Sequence, residues 1–338
     1  MASRSADGPP QRLADVSEDE LLALIFPHFA AAPKDPVGPG DDAAVVSTNG
    51  SVVVTTDAMV RGRDWKDTWS SPHDVAVKAV TQNAADIAAM GAVTRSLLVT
   101  LTADPATPVA WVLGFAQSLG EQAKTLGFSV AGGDLSSAPP EILVISVTAL
   151  GDLGGRSPVR RSGARPGDTV AVAGSLGHSA AGFLVLESNA AFTSTAAVER
   201  AIAAQPDGIQ ARCLAHHLRP MAPLDQGPAA ARAGATAMMD ISDGLLRDGT
   251  RLAAASGVRL GLESAALAAD VDELVALVGP DRAAECVLAG GEEHSLLATF
   301  PAAPPHGWRR VGTVGEGSGV TLDGVPQAPR GWDHFAGG

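Results

Sequence analysis

The chain is expected to be an α/β (α+β) protein of two domains. Three observations predict this. Strand-forming and helix-forming segments alternate through both halves. A Gly-, Arg- and Pro-rich stretch at 151–168 (GDLGGRSPVRRSGARPGD) breaks the pattern near the middle. Aspartates recur where expected strands or turns run out. A length of 338 residues leaves room for two cores. The expected division is a disordered N-terminus over 1–12, a first domain over 13–150 and a second over 151–338.

Taken in order, Ser17 and Glu20 form a capping-box pattern ahead of Leu21, Leu22, Leu24 and Ile25, which opens a helix. Strands are expected at 43–46 and 52–56. Ser71-Pro72 starts a helix that runs to about residue 90, with proline at its first position. A strand at 97–101 and a helix at 109–126 follow. The run 129–131 leads into Gly132-Gly133-Asp134, and 142–149 is rich in β-formers. After the break come a strand at 169–173, the turn Gly174-Ser175-Leu176-Gly177 and a helix at 179–186. Further strands are expected at 237–240, 258–262, 295–300 and 309–314, and helices at 225–233, 244–255 and 270–278.

Composition excludes several classes. The net charge is −13, with no basic stripe to neutralise a phosphate backbone, so a nucleic-acid partner is not expected. A nucleotide remains possible, because metal and a few arginines can meet its charge. No apolar run approaches the length of a membrane span, so no membrane partner is expected. The first twelve residues lack the apolar core of a signal peptide. Cys213 and Cys286 stand in no metal or redox spacing, which suggests reduced thiols in a cytoplasmic protein.

The aspartates are Asp41-Asp42 in GPGDDAAVV, Asp57 after Thr55-Thr56, Asp86 three residues after Asn83, Asp134, and Asp240 with Asp243 in DISDG. Each has a plainer reading as a solvated turn, a strand residue or a helix cap. Asp86, however, is flanked by Ala84, Ala85, Ile87 and Ala88, so a carboxylate there needs a partner. Two aspartates three apart at a strand-to-helix turn also exceed what capping requires. Two carboxylates about 5 Å apart repel by roughly 3 kcal/mol at an effective dielectric near 20, so a convergent set calls for a cation. Oxygen-only donors suit Mg²⁺, and Mg²⁺ in a cleft commonly accompanies a polyphosphate. Gly290-Gly291-Glu292-Glu293 is a second glycine-acid turn, and Arg160-Arg161 offers cationic charge for a phosphoryl group. No GxxxxGK[ST] loop occurs, and Gly174-x-x-Gly177 is too short to stand for one.

In this order, GPGDDAAVV, TTDAMV, VTQNAADIAAMGA, AGGD, RSGARPGD, DISDGL, AGGEE and GWDHF resemble the thiamine-monophosphate kinase family over nearly the whole chain. The resemblance implies a two-domain aminoimidazole ribonucleotide synthetase-like fold, a homodimer, and phosphorylation of thiamine monophosphate by ATP. It implies several Mg²⁺ ions bound by Asp42, Thr55, Thr56, Asp57, Asp86, Asp134, Asp240 and Asp243. Thr56, Gly133, Asp134, Arg161 and Ser242 would contact ATP, with Arg161 and Asp243 in catalytic roles. Asp64, Glu292 and Trp332 would meet the thiamine substrate. Two departures stand out: Asp64 replaces a frequent histidine, and Glu293-His294-Ser295 replaces the usual Asp-Tyr-Glu. Another ATP-dependent synthetase of the superfamily and a non-catalytic nucleotide-binding homologue are the alternatives.

Overall fold

The computed structural model describes residues 11–29 and 46–332. The chain forms two compact units. One takes Met1–Ser47, Thr56–Val80 and Arg95–Thr148; the other takes Thr48–Thr55, Thr81–Thr94 and Ala149–Gly338. The expected strand at 43–46 lies outside the described residues apart from its last residue, as does most of the expected disordered terminus. Gln11 and Arg12 are described and ordered: Gln11 O accepts the Val109 amide at 2.9 Å, and Arg12 bridges Pro108.

The first unit opens with α1 (Glu18–Ile25), which is capped as its sequence predicts. The Ser17 amide donates to Glu20 Oε2 at 2.9 Å, and the Glu20 amide returns to Ser17 Oγ at 3.3 Å. Then follow β1 (Val52–Val60), α2 (Pro72–Ala89), β2 (Val93–Ala103), α3 (Val109–Leu126), β3 (Ser129–Ser137) and β4 (Leu143–Asp152), of which residues 52–55, 81–89, 93–94 and 149–152 belong to the second unit. The four strands form one sheet in the order β1-β4-β2-β3, with β2 and β3 parallel. Helix α3 buries Val112, Phe115, Ala116, Leu119 and Ala123, the three- and four-residue spacing of a single apolar stripe.

The second unit runs β5 (Thr169–Ala173), α4 (His178–Ser188), α5 (Thr195–Ala204), α6 (Ile209–Leu218), α7 (Gln226–Arg232), β6 (Ala237–Ile241), α8 (Leu245–Ser256), β7 (Arg259–Leu262), α9 (Ser264–Val278), α10 (Pro280–Ala289), β8 (Ser295–Phe300), β9 (Arg309–Gly315), β10 (Gly319–Leu322) and β11 (Val325–Gln327). Its sheet has the order β11-β10-β7-β9-β5-β8-β6 and is mixed, with only the β7–β10 pair parallel among the registered neighbours. Both faces are covered. Val170, Val172, Ala237, Met239, Ile241 and Leu297 point into one apolar core; Ala171, Ala173, Met238, Leu296, Ala298 and Phe300 point into another. This is the period-two alternation of a sheet buried on both sides.

Several elements depart from expectation. β1 and β3 continue past their predicted ends, because the alternation in VVVTTDAMV carries on through Asp57. Helix α9 begins at Ser264 instead of 270, since Ala-Ala-Leu-Ala-Ala extends it backwards. Helices α5, α6 and α10 and strands β10 and β11 were not expected. In α6 the buried positions include His216, which interrupts an apolar reading. β10 and β11 are four and three residues long and depend on edge pairing rather than on their own propensity.

Candidate functional site

One turn of the second unit gathers most of the sequence-derived candidates in that unit. Strand β6 ends at Ile241, and the chain turns through Ser242, Asp243 and Gly244 into α8. Its backbone carbonyls receive two other segments. His294 N donates to Ile241 O at 2.9 Å, Glu292 N to Ser242 O at 2.7 Å, and Trp332 N to Asp243 O at 2.9 Å. Ser242 and Asp243, expected near nucleotide and metal, therefore adjoin Glu292 and Trp332, expected near the substrate. Trp332 remains 46% exposed. Glu292 and His294 both hold left-handed φ angles, 59° and 53°, which are uncommon for residues with side chains.

The carboxylates here are not alike. Asp240 is buried, with His294 Nδ1 3.6 Å from its Oδ2. Asp243 Oδ2 lies 2.6 Å from Arg251 Nη1 and 3.8 Å from Arg247 Nε. Arg251 also reaches Asp248 Oδ1 at 2.7 Å. Asp248 is fully buried in the first turn of α8, and its Oδ2 accepts the amides of Ser242, Asp243 and Gly244. Burial and the neighbouring Asp240 charge push its carboxyl up to about 6, against the pull of the turn amides and Arg251.

The Gly290–His294 turn carries a further buried acid. Glu293 is 0% exposed. Its Oε1 accepts the Ser179 amide at 2.6 Å, and its Oε2 accepts the Ser175 hydroxyl at 2.9 Å. His216 Nε2 stands 3.2 Å from Oε2. Burial alone would raise this carboxyl, but the His216 hydrogen bond and charge, with the Ser179 amide, hold it below its ordinary 4.5. The folded protein thus binds that proton less tightly than the unfolded chain. The resulting stability is full above pH 4.5 and is lost as pH falls through the lower folded value. The melting temperature is expected to drop on acidification below that point, and Glu293→Gln is expected to flatten the drop; an identical acid slope in the variant would contradict this.

Other candidates fall as follows. Thr55 Oγ1 donates to Asp86 Oδ2 at 2.7 Å, so the carboxylate expected to need a partner has one. In the first unit, Thr56 Oγ1 donates to Val147 O at 3.0 Å and accepts from Thr148 at 3.3 Å. Asp57 and Asp134 lie inside β1 and β3, not at strand ends, which corrects that part of the reading. Gly133 pairs with Val99 across the sheet, and a Cβ there would stand 1.9 Å from Val99 O. Strand packing therefore demands glycine at this position whatever ligand approaches. Asp64 Oδ2 accepts the Val60 amide at 2.6 Å, closing the turn after β1. Arg161 is exposed, and its carbonyl accepts the Ser256 hydroxyl at 2.7 Å. Asp42 lies outside the described residues. Among the described residues no group of three His, Cys, Asp or Glu is arranged to hold a metal ion.

Sequence reasoning missed Asp248, Arg251, His216 and the burial of Glu293. An acid in the first turn of α8 was a visible signal; the others are joined only by long-range contacts.

Comparison with known proteins bears on the whole chain. The family model described as AIR synthase related protein, N-terminal domain, matches residues 40–153, and its C-terminal counterpart matches 165–325. The thiamine-monophosphate kinase of Mycobacterium tuberculosis is 44% identical over 308 residues, covering 89% of this chain and 84% of the relative. That of Corynebacterium glutamicum is 36% identical, covering 97% and 96%. A solved structure of AaThiL complexed with AMPPCP and TMP superposes with a TM-score of 0.72 at 30% identity, covering 97% of this chain and 100% of that one.

Proposed function

This chain belongs to the thiamine-monophosphate kinase family, and on that premise we propose that it transfers the γ-phosphoryl group of ATP to the phosphate of thiamine monophosphate. The products are ADP and thiamine diphosphate. The observation that carries the reading is the β6–α8 turn. Ser242 and Asp243 stand there beside Glu292 and Trp332, so groups suited to a nucleotide and to a cationic aromatic substrate share one backbone junction. The relative bound to an ATP analogue and TMP supports the same pair of ligands.

Transfer is direct and in line. The acceptor oxygen belongs to a phosphate monoester that is already anionic near neutral pH, so it needs little general-base help. The difficulty is bringing two polyanions together, and positioning and charge neutralisation answer it. Arg161 would neutralise charge on the transferring group, with Gly133, Ser242, Thr56 and Asp134 against the nucleotide. Glu292 would face the thiazolium cation, and Trp332 would pack on an aromatic ring.

The donor chemistry fits Mg²⁺. The Thr55–Asp86 pair is all oxygen, and Mg²⁺ is usually held by one or two carboxylates together with substrate phosphates, not by a protein cage. Asp42, Thr55, Thr56, Asp57, Asp86, Asp134, Asp240 and Asp243 would hold the ions. When bound, Mg²⁺ screens phosphate charge and orients donor and acceptor. Asp243 would first have to loosen its pairing with Arg251.

The division into a nucleotide-binding and dimerisation domain up to residue 150 and a completing domain from 151 remains part of this proposal. A homodimer is supported by β1, which is an edge strand among the described residues and leaves Val52 and Val54 43% and 59% exposed. A cytoplasmic location is supported by two buried, unpaired thiols; burial pushes Cys213 up to about 12 and Cys286 up to about 11.

Calorimetric titration checks the ligand pair: thiamine monophosphate should bind in the presence of AMPPCP and Mg²⁺, and EDTA should weaken both. Light scattering should return twice the chain mass. Asp64→Ala is expected to raise the KM for thiamine monophosphate more than that for ATP. It should also cost about 1 kcal/mol of stability through the lost Val60 hydrogen bond. An unchanged substrate KM would leave Asp64 with only its turn-closing role.

A further inference from the structure

Two helix starts in the second unit, those of α4 and α8, have the makings of an anion cradle, and in both the protein supplies its own anion. Successive backbone N–H groups at a helix start are where phosphate oxygens commonly bind. At the start of α4, the Ser179 amide and the Ser175 hydroxyl close on the Glu293 carboxylate. At the start of α8 the closure is tighter. The amides of Ser242, Asp243 and Gly244 converge on the single oxygen Asp248 Oδ2 at 3.1, 2.9 and 3.1 Å. The other oxygen, Oδ1, takes Arg251 Nη1 at 2.7 Å, and the same nitrogen stands 2.6 Å from Asp243 Oδ2. Asp248 is 0% exposed and has no path to a ligand of its own.

We propose that Asp248 is the positioning residue of the candidate site. It is a fixed internal anion that shapes the β6–α8 turn, holds Asp243 in place through Arg251, and keeps nucleotide phosphate off the turn amides. Two consequences follow. The phosphates must be met by side chains and metal rather than by this helix start. Asp243 is also held on two sides: its amide is fixed by Asp248 Oδ2, and its carboxylate by the arginine that Asp248 Oδ1 anchors. The inference rests on the kinase reading only for which ligands the turn presents.

The test compares Asp248→Asn and Asp248→Ala with the wild type, reading kcat, both KM values and melting temperature, with and without sodium formate as a detached carboxylate. The Asn variant keeps an acceptor oxygen for the amides but loses the charge that anchors Arg251. Its kcat is expected to fall about 10- to 100-fold, the usual effect of removing a partner behind a ligating group, with the KM for thiamine monophosphate changing less than about threefold. The Ala variant opens the cradle, so formate is expected to raise its melting temperature and kcat while leaving the wild type unchanged. Formate stabilisation needs no substrate. It therefore reports on the cradle even if the wild type shows no kinase activity, an outcome that would overturn the functional reading instead. Should the Ala variant not fold, the Asn variant decides through its split between kcat and KM. A folded Asn variant with wild-type kcat, or a folded Ala variant indifferent to formate, overturns the positioning role.

Discussion

Asp243→Asn is expected to lower turnover by about 10²- to 10³-fold while leaving the second unit folded. The fold should survive because the contacts that organise the turn at this residue are main-chain ones. Its amide donates to Asp248 Oδ2 and its carbonyl accepts the Trp332 amide, and neither depends on the carboxylate. Asn fills nearly the same volume, and Arg251 keeps Asp248 as a partner. The variant removes one negative charge at the turn whose carbonyls receive the Glu292 and Trp332 amides. Under the proposed chemistry, Asp243 would be one of the carboxylates that hold Mg²⁺, whose charge would offset that of the phosphates. The measurement is kcat alongside melting temperature: a large loss of kcat with a melting temperature within about 2 °C of wild type is the expected pair. Wild-type turnover would reduce Asp243 to an ion-pair partner of Arg251.

Glu293→Ala is expected to destabilise the second unit by about 3–5 kcal/mol, the range for breaking a buried charged pair by removing one partner. The Ser179 amide and the Ser175 hydroxyl would lose their acceptor, and His216 would lose its carboxylate. In a unit of this size, that loss corresponds to roughly 8–15 °C in melting temperature. Glu293→Gln should fall between the two, since an amide oxygen still accepts the Ser179 amide but no longer balances His216. A melting temperature unchanged in the Ala variant would mean that water replaces the carboxylate without penalty, contrary to its complete burial.

Local patterns made much of this legible in the sequence. The capping box at Ser17, proline at the start of α2, the apolar stripe of α3 and the alternating strands of both sheets all follow from spacing alone. So did the prominence of Asp240-Ile241-Ser242-Asp243, because two acids at one turn exceed what a helix start requires. The reading failed where long-range closure decides. Glu293 reads as the second acid of a solvated glycine turn, yet it is fully buried against Ser179, 114 residues away, and His216, 77 residues away. No periodicity connects those positions. Asp248 reads as a favourable acid in the first helical turn; that it gathers three amides depends on the backbone path through Gly244, whose φ is 120°. Asp57 and Asp134 were expected at strand ends because Thr-Thr-Asp and Gly-Gly-Asp resemble terminations. Pairing within the sheet carries both strands further. Gly133 shows the opposite lesson: a glycine read for ligand approach is already required by the carbonyl of Val99.

The most direct test of the account is a Mg²⁺-dependent assay of ATP with thiamine monophosphate that reads both products. The account predicts ADP and thiamine diphosphate in equal amounts, with both abolished by EDTA and restored by added Mg²⁺. ATP consumption without thiamine diphosphate, or no turnover of either substrate by the folded protein, would contradict it.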